Sequence, residues 1–506
     1  MATDTAMDED NPLLEAPSED HQTLERTQCI YNPLYTYSLP AAQKHYQQQY
    51  ADMYFARLAQ LKPAVERIAA EAFNGVEIAG EICKKVDRVL DVRQGELVWV
   101  AGTCYMELPL KPNVLDDIGK EHWISAPPNR DKYATVNGQE SFMLEDESGR
   151  LKLTGASLQG CLLVTGAIIA VMGTENSDGD FEVLDLRVPD LPRQPARWER
   201  DDGAVVKEGK KVQKDRPLSG KVAIVSGLSI SGDEGDTLAL DLLMEWMLGE
   251  AASLTDQEGA ANISRLIIAG NSLAHAQPIP SREDVISAKK NAQKKYGYDA
   301  ASYNAAPTDR LDTFLATLLP SIPITLLPGP TDPTSTSLPQ QPIHAAMFPH
   351  SRAYMENIAP SAENEPNWFD SVTNPVEFDI DGWRFLGAGG QTLDDVYKYV
   401  HGEERLEMME SMLRWRLTAP TAPDTLPCFP FQDGDRFVLK ESPHVFFVGN
   451  QPKFETSEIE GPHGETVRIV AVPSFRKTGQ VIVMDLESLT PELVTIEVYD
   501  GDEMVA

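Results

Sequence analysis

The chain has 506 residues and a hydrophobic content of 42%, which is ordinary for a globular protein, so its length predicts several domains rather than one compact core. Its 78 acidic residues against 44 Lys and Arg give a formal charge of −34, and such a negative field disfavours direct binding of nucleic acid. The five cysteines are widely spaced and form no CxxC pair, which argues against a zinc knuckle and a disulfide framework.

The N-terminal part of the chain divides into two segments. Residues 1–30 are acidic and poor in apolar side chains, which predicts a disordered tail without the basic and apolar regions of a signal peptide. No apolar stretch is long enough to span a membrane, so we expect an intracellular protein. Residues 31–74 place apolar side chains at helical spacing, with an interruption at Pro63, and predict one or two helices whose apolar face needs a partner.

Residues 75–200 consist of short β runs separated by turn residues. The runs read LVWVAGTCYM, SFMLEDESGRLKLTGA, CLLVTGAIIAVMGTE and DFEVLDLRVP. The EDESG segment and an Asp-Gly pair between alternating runs predict hairpins, and short antiparallel strands of this number favour a Greek-key barrel of the OB type. Because the strands carry few aromatic and many acidic residues, we favour a structural or protein-binding barrel over a barrel that binds single strands.

Two segments are locally basic, 207–221 and 289–295, the second within an insert at 280–308. A nuclear-localisation signal and a solvated linker both explain the first segment, and we favour the linker. A solvated helix face explains the second.

Residues 201–506 repeat one pattern five times, in which an apolar strand runs into a glycine-containing loop. The five copies read VAIVSGLSIS, RLIIAGNSLAH, PITLLPGPTDP, WRFLGAGGQT and HVFFVGNQP, and helical stretches lie between them. Alternating strands and helices predict a layered α/β domain whose site lies at the strand ends.

These five loops resemble, in order and spacing, the loops of calcineurin-like metallophosphoesterases, which carry DxH, GDxxD, GNH(D/E), an isolated His and GHxH. The resemblance implies a layered α/β sandwich with two divalent cations that clamp a phosphoester at the strand ends. The positions matched to the family's motifs are Gly227, Ser229, Asn271, Ala274, Pro330, Thr331, Asp332, Gly389, Asn450 and Pro452.

Only Asp332 among these positions keeps an acidic side chain, and in the family that position mainly orients its neighbour. Asn271 and Asn450 offer neutral amide oxygens, which supply no charge for a metal pair. We therefore expect a vestigial phosphoesterase site with no catalytic residue, no metal and no cofactor. His275 and His444 lie beside the loops, and we interpret both as structural.

Over about residues 30–500 the chain is similar to the small, B-type subunits of eukaryotic DNA polymerase delta. The stretches that carry this resemblance are QYADMYFARLAQLKP (49–63), LPQQPIHAAMFP (338–349), FDIDGWRFLGAGGQTLDDV (378–396), LTAPTAPDTLPCFPF (417–431) and SPHVFFVGNQPKF (442–454). Archaeal relatives keep the metal ligands and act as exonucleases, and this sequence departs from them at the ligand positions.

The resemblance implies a nuclear, non-catalytic scaffold in DNA replication and repair synthesis. It would bind the cysteine-rich C-terminal domain of the catalytic subunit and an elongated third subunit, and reach the sliding clamp only through the latter. Exposed apolar surface on the helix over residues 50–68 and on the barrel would serve such contacts. The alternatives are a B-subunit of polymerase alpha or epsilon and an active metal-dependent phosphodiesterase.

Overall fold

The computed structural model describes residues 24–40, 49–111, 130–135, 140–202, 216, 218–231, 238–250, 254–274, 305–355 and 367–498. Within these residues the strands form three six-stranded sheets and one small hairpin. The basic segment 289–295, most of the segment 207–221 and His275 lie outside the described residues. In the described part of the chain, no helix is long and apolar enough to cross a membrane.

The elements follow one another along the chain with helices concentrated in the C-terminal half. The helices are α1 (Tyr50–Phe73), α2 (Leu238–Leu248), α3 (Leu254–Ala261), α4 (Ala306–Leu318), α5 (Gln391–Tyr399), α6 (Arg405–Arg414) and α7 (Phe475–Thr478). The strands are β1 (Tyr31–Pro33), β2 (Glu77–Ile78), β3 (Glu81–Ile82), β4 (Lys84–Lys85), β5 (Leu97–Glu107), β6 (Ser141–Glu145), β7 (Arg150–Thr154), β8 (Ile168–Glu175), β9 (Phe181–Arg187), β10 (Lys221–Val225), β11 (Ile263–Ala269), β12 (Ile324–Leu327), β13 (Phe369–Ser371), β14 (Val376–Ile380), β15 (Trp383–Ala388), β16 (Val445–Gln451), β17 (Glu455–Glu460), β18 (Thr466–Pro473), β19 (Gln480–Asp485) and β20 (Pro491–Thr495).

The predicted β runs of residues 75–200 form a closed barrel. Its strands pair in the order β5-β6-β7-β9-β8, and β8 pairs back with β5, which closes the sheet. The barrel needs a tight approach at Gly173, where an added Cβ would lie 1.9 Å from the carbonyl oxygen of Glu182. The predicted OB-type barrel is confirmed.

The predicted α/β domain is confirmed as two six-stranded sheets that pack face to face. The first, here called the β10 sheet, has the order β13-β12-β11-β10-β19-β20, and β10 to β13 are parallel neighbours. The second, the β16 sheet, has the order β1-β14-β15-β16-β18-β17, with β15, β16 and β18 parallel. Their facing sides share one buried core that includes Ile224, Ile267, Phe378, Phe447 and Val470.

Each outer face of the sandwich is covered differently. Helices α2 and α4 cover the β10 sheet with residues such as Leu243 and Leu315. The outer face of the β16 sheet packs with α5 and α6 into a cluster that continues, without a break, into α1 and the barrel. The barrel therefore shares a hydrophobic core with the sandwich, and the two units are held in a fixed relation.

Helix α1 is one continuous helix that includes Pro63, an exposed residue, so the predicted interruption is not found. Its apolar face is buried against the barrel of the same chain, through Leu58, Leu61 and Val65. The partner that this face needs is thus intramolecular, and the apolar surface that we expected the helix to offer to other subunits is mostly buried. Only Tyr50 and Phe55 among its large apolar side chains remain clearly exposed, at 44% and 48%.

The described residues before α1, 24–40, form a strap across the sandwich rather than part of a helical segment. Arg26 donates to the carbonyl oxygens of Ala260, Ile263 and Met247 at 2.6–2.9 Å, so the strap contacts the β10 sheet at its start. Strand β1 then pairs antiparallel with β14 in the β16 sheet. These pairings join residues more than 200 positions apart, and the spacing of apolar residues within one segment does not predict such long-range contacts.

Candidate functional site: the strand-end loops

The five loops singled out in the sequence meet at one place in the fold. The loops after β10, β11 and β12 lie at one end of the β10 sheet because these strands are parallel neighbours. The loops after β15 and β16 hold the same relation in the β16 sheet. The main-chain amide of Asn450 donates to Ser226 Oγ at 2.9 Å, and its side-chain Nδ2 donates to the carbonyl oxygen of Gly389 at 2.8 Å, so the two sets of loops touch.

The first two loops are joined by main-chain hydrogen bonds. The amide of Gly227 donates to the carbonyl oxygen of Gly270, and the amide of Ser229 to that of Asn271, each at 2.9 Å. Left-handed backbone conformations occur here, with φ of +61° at Gly227, +48° at Ser229 and +53° at Asn271. Asn tolerates this region better than most residues, whereas Ser229 occupies it at a cost in strain. Ala274 contributes only its amide, which donates to the carbonyl oxygen of Ile230.

The third loop turns its polar groups inward. The amide of Thr331 donates to Asn271 Oδ1 at 3.2 Å, and its hydroxyl lies within hydrogen-bond distance of the carbonyl oxygen of Leu273 and of Asn271 Oδ1, at 2.5 and 3.0 Å. Asp332 accepts from the main-chain amides of Leu273 and Gly329 at 2.9 and 2.7 Å. Pro330 is exposed and carries no side-chain donor or acceptor.

The one carboxylate of the set, Asp332, is used for turn structure. It is only 5% exposed, and burial raises the pKa of its carboxyl to about 6, even though main-chain amides from Leu273 and Gly329 favour the charged form. Both oxygens are occupied by those amides. The carboxylate therefore ties the second loop to the third.

The last two loops meet at Gly389 and Asn450. Asn450 has a φ of +59°, and its Nδ2 points at the carbonyl oxygens of Gly389 and, at 3.4 Å, Ala269. Pro452 is exposed beyond the end of β16. Nine of the ten matched positions thus follow the end of a strand, and Asn450 lies within the last two residues of β16. Five of the ten positions carry no polar side chain: Gly227, Ala274, Pro330, Gly389 and Pro452.

Three polar residues at this site were missed by sequence reasoning. Gln340, Asn374 and Gln391 form a triangle of side-chain hydrogen bonds of 2.7–2.9 Å. Asn374 Oδ1 also accepts from the amide of Gly389 at 2.9 Å, which connects the triangle to the fourth loop. Their only signal in the sequence was that Gln340 and Gln391 lie in stretches that resemble the family.

The side chains gathered here do not suit a pair of divalent cations. They are neutral amides and hydroxyls apart from the occupied Asp332, and a Mn²⁺ or Zn²⁺ pair requires charged or imidazole ligands. A larger side chain would also not fit at two of the matched glycines, since a Cβ added at Gly227 would lie 2.5 Å from Ser474 Oγ, and one at Gly389 would lie 2.7 Å from Asn374 Nδ2. In the part of the chain that the structure describes, no three His, Cys, Asp or Glu side chains are grouped as a metal site.

His444 lies at the start of β16 and has the structural position interpreted from the sequence. Its Nδ1 accepts from the amide of Arg384 at 3.0 Å, and its ring packs edge-on against Trp383 with centroids 4.9 Å apart. Burial, followed by the neighbouring positive charge of Arg384, lowers the pKa of His444 to about 4. The imidazole is therefore neutral near pH 7 and supports the strand.

Comparison with known proteins agrees with this architecture. Residues 49–186 match the family described as DNA polymerase delta subunit OB-fold domain, and residues 222–456 match the family of DNA polymerase alpha/epsilon B-subunits. The DNA polymerase delta small subunit of Oryza sativa subsp. japonica is 33% identical over 92% of this chain and 97% of its own length.

The chain belongs to the family of DNA polymerase delta small subunits. Further members of this family are similar over comparable lengths. The small subunit of Arabidopsis thaliana is 33% identical over 92% of this chain and 95% of its own length. That of Saccharomyces cerevisiae is 32% identical over 93% of both chains. The similarity to the polymerase delta small subunits therefore includes the barrel, the sandwich and the strand-end loops between them.

Proposed function

We propose that this chain is the non-catalytic scaffold subunit of a nuclear DNA polymerase delta. In this role it bridges the cysteine-rich C-terminal domain of the catalytic subunit to a third subunit that contacts the sliding clamp, in replication and repair synthesis. The observation that carries the proposal is the similarity to polymerase delta small subunits along nearly the whole chain.

The chemistry of the strand-end loops supports a role without catalysis. Hydrolysis of a phosphoester by this type of fold needs cations that polarise the phosphate and generate hydroxide. Asn271 and Asn450 are neutral at the matched positions, and Asp332 is engaged by main-chain amides. We infer that the ten matched positions are vestigial and that the chain holds no metal or cofactor there.

The continuous core between barrel and sandwich supports a bridging role. A scaffold fixes the relative positions of its partners only if its own units do not move against each other. Here α1, the barrel and the outer face of the β16 sheet share one buried cluster, in which Val65, Val100 and Ile469 are at most 1% exposed. We propose the organisation inferred from the sequence, with a barrel over about 75–200 followed by the sandwich.

The charge of the chain supports contact with DNA through partners. A protein that neutralises phosphates directly needs clustered Lys and Arg, whereas this chain carries a formal charge of −34. We propose that it has no strong direct affinity for nucleic acid.

The deciding experiment is co-purification of the tagged full chain with candidate partners. Co-expression with the C-terminal domain of the delta catalytic subunit and with the third subunit is expected to yield a three-component complex by size-exclusion chromatography. Because residues 222–456 match the alpha/epsilon B-subunit family, a B-subunit of polymerase alpha or epsilon is the second candidate function. The corresponding domains of those catalytic subunits are therefore included as competitors. Preferential capture of an alpha or epsilon domain would refute the assignment to delta.

The non-catalytic proposal has its own assay. Hydrolysis of bis-p-nitrophenyl phosphate and of single-stranded DNA is measured with the full chain in Mn²⁺, with an active metallophosphoesterase as the positive control. We expect no turnover above a heat-denatured sample. Metal-dependent turnover that follows the protein through purification would refute the proposal.

A further inference from the structure

We propose that five side-chain amides act as a structural clamp at the strand ends, in the position where the phosphoesterase resemblance places a metal pair. This amide cluster consists of Asn271, Gln340, Asn374, Gln391 and Asn450. The inference rests on the proposed non-catalytic role of the loops. It assigns these residues a function of their own, which is to hold the ends of the two sheets together.

The cluster holds Gly389, which follows β15 in the β16 sheet, from two sides. The amide of Gly389 donates to Asn374 Oδ1 at 2.9 Å, and its carbonyl oxygen accepts from Asn450 Nδ2 at 2.8 Å. Asn450 also reaches toward the carbonyl oxygen of Ala269 in the β10 sheet at 3.4 Å. One peptide segment of the β16 sheet is thus held from both sides by amides, which supply a donor and an acceptor in one group.

The triangle extends the clamp to the third loop. Asn374 Nδ2 donates to both Gln340 Oε1 and Gln391 Oε1 at 2.9 Å, and Gln391 Nε2 donates to Gln340 Oε1 at 2.7 Å. Gln340 Nε2 then donates to the carbonyl oxygens of Gly329 and Ser335 at 3.2 and 3.0 Å. Gln340 is 2% exposed and Asn374 is fully buried, so losing one member leaves buried groups unpaired.

Asn271 completes the clamp within the β10 sheet. Its Oδ1 accepts from the amide of Thr331 at 3.2 Å, and the Thr331 hydroxyl lies between Asn271 Oδ1 and the carbonyl oxygen of Leu273, which joins the loop after β11 to the loop after β12. In a metal site, ligands from several loops bind one ion and so hold the loops together. In this chain, hydrogen bonds between neutral side chains and the main chain hold the loops together instead. Because the amides carry no charge, the closure avoids the desolvation cost of buried carboxylates.

The first test is a double-mutant cycle on Gln340 and Gln391 in the full chain. Each single change to Ala is expected to lower the Tm of this 506-residue chain by about 1–3 °C, because buried partners lose their hydrogen bonds. The double variant is expected to lose less than the sum, by about 0.5 °C or more, because the two residues share a hydrogen bond. Gln159→Ala, at an exposed glutamine of the barrel, is the matched control and should leave the Tm unchanged.

The proposal would be refuted if the Tm losses of the two single variants add up to that of the double variant. It would also be refuted if each single variant loses no more than the Gln159→Ala control. If the double variant is insoluble, Gln391→Ala alone still gives the comparison, because Gln391 is only partly buried.

The second test restores charge with the isosteric variant N271D/N450D. Its Tm is expected to fall, because the new carboxylate at position 450 would face the carbonyl oxygens of Gly389 and Ala269. Titration with Mn²⁺ alone should not recover the loss, since two carboxylates without further ligands do not hold a metal pair. A Mn²⁺-dependent gain in the Tm of this variant would show that the loops form a metal site once two carboxylates are restored. That result would overturn the inference. Hydrolysis by the wild-type chain would instead refute the proposed function, so the two failures are distinguishable.

Discussion

Substitution of Arg57 by Met should destabilise the chain strongly, because this residue joins α1, the barrel and the sandwich. Its Nε pairs with Asp435 Oδ2 at 2.5 Å, and the two side chains are 3% and 0% exposed. Its Nη1 and Nη2 donate to the carbonyl oxygens of Pro420 and Ala419 at 2.6 and 3.3 Å. The barrel contacts the same point, since a Cβ added at Gly166 would lie 2.7 Å from Arg57 Nη1.

The magnitude follows from what the substitution leaves behind. Methionine preserves much of the packing volume but removes the charge. Among the residues that the structure describes, Asp435 then keeps the amide of Phe437 as its one hydrogen-bond donor, at 2.8 Å. Breaking one partner of a buried pair costs about 3–5 kcal/mol. The double variant Arg57→Met with Asp435→Asn removes the uncompensated charge and should recover part of this loss, leaving a deficit of about 1–2 kcal/mol.

Urea unfolding of the full chain, followed by tryptophan fluorescence, measures these free energies. Arg67→Met, on the exposed side of the same helix, is the control and should change the free energy of unfolding by less than about 0.5 kcal/mol. A loss of about 1 kcal/mol or less for Arg57→Met would refute the reasoning. So would a double variant that is less stable than the single one.

Three further predictions concern pH and DNA. The folded chain holds His444 in its neutral form, with a pKa of about 4 against about 6.5 in the unfolded chain, so this stabilisation is lost as the pH falls from 6.5 toward 4. Between pH 7 and pH 5 the wild type should lose about 2 kcal/mol of unfolding free energy relative to His444→Asn. Equal pH dependence of the two proteins would contradict this prediction. For Asp332 the pH dependence of stability is the reverse, because its raised pKa means that the folded state binds the proton more tightly than the unfolded state. In the same unfolding assay, the wild type should lose about 2 kcal/mol relative to Asp332→Asn as the pH rises from 4 to 7. In fluorescence anisotropy at physiological salt, the chain alone should show no submicromolar affinity for labelled primer-template DNA. Any binding at low salt should weaken steeply as salt is added. Tight binding at physiological salt would instead favour a barrel that binds single-stranded DNA.

Much of the fold was accessible from local patterns. The alternating runs between residues 75 and 200 predicted the barrel strands, because an antiparallel barrel leaves a period of two in each strand. The five apolar runs that end in glycine loops predicted β10, β11, β12, β15 and β16, because strands buried on both faces read as continuous apolar stretches. The helix over 50–73 followed from its spacing of apolar residues, although its partner did not.

The sequence by itself determined the types of the elements, the neutral chemistry at the strand ends and the similarity to polymerase delta small subunits, since each of these depends on which residue follows which. Only the tertiary structure decided that α1 packs on its own barrel, that residues 24–40 cross both sheets, and that Gln340 and Asn374 meet Gly389 and Gln391. Those contacts join positions far apart in the chain. Their partners are set by sheet order and register, which the polar or apolar character of a single position does not encode.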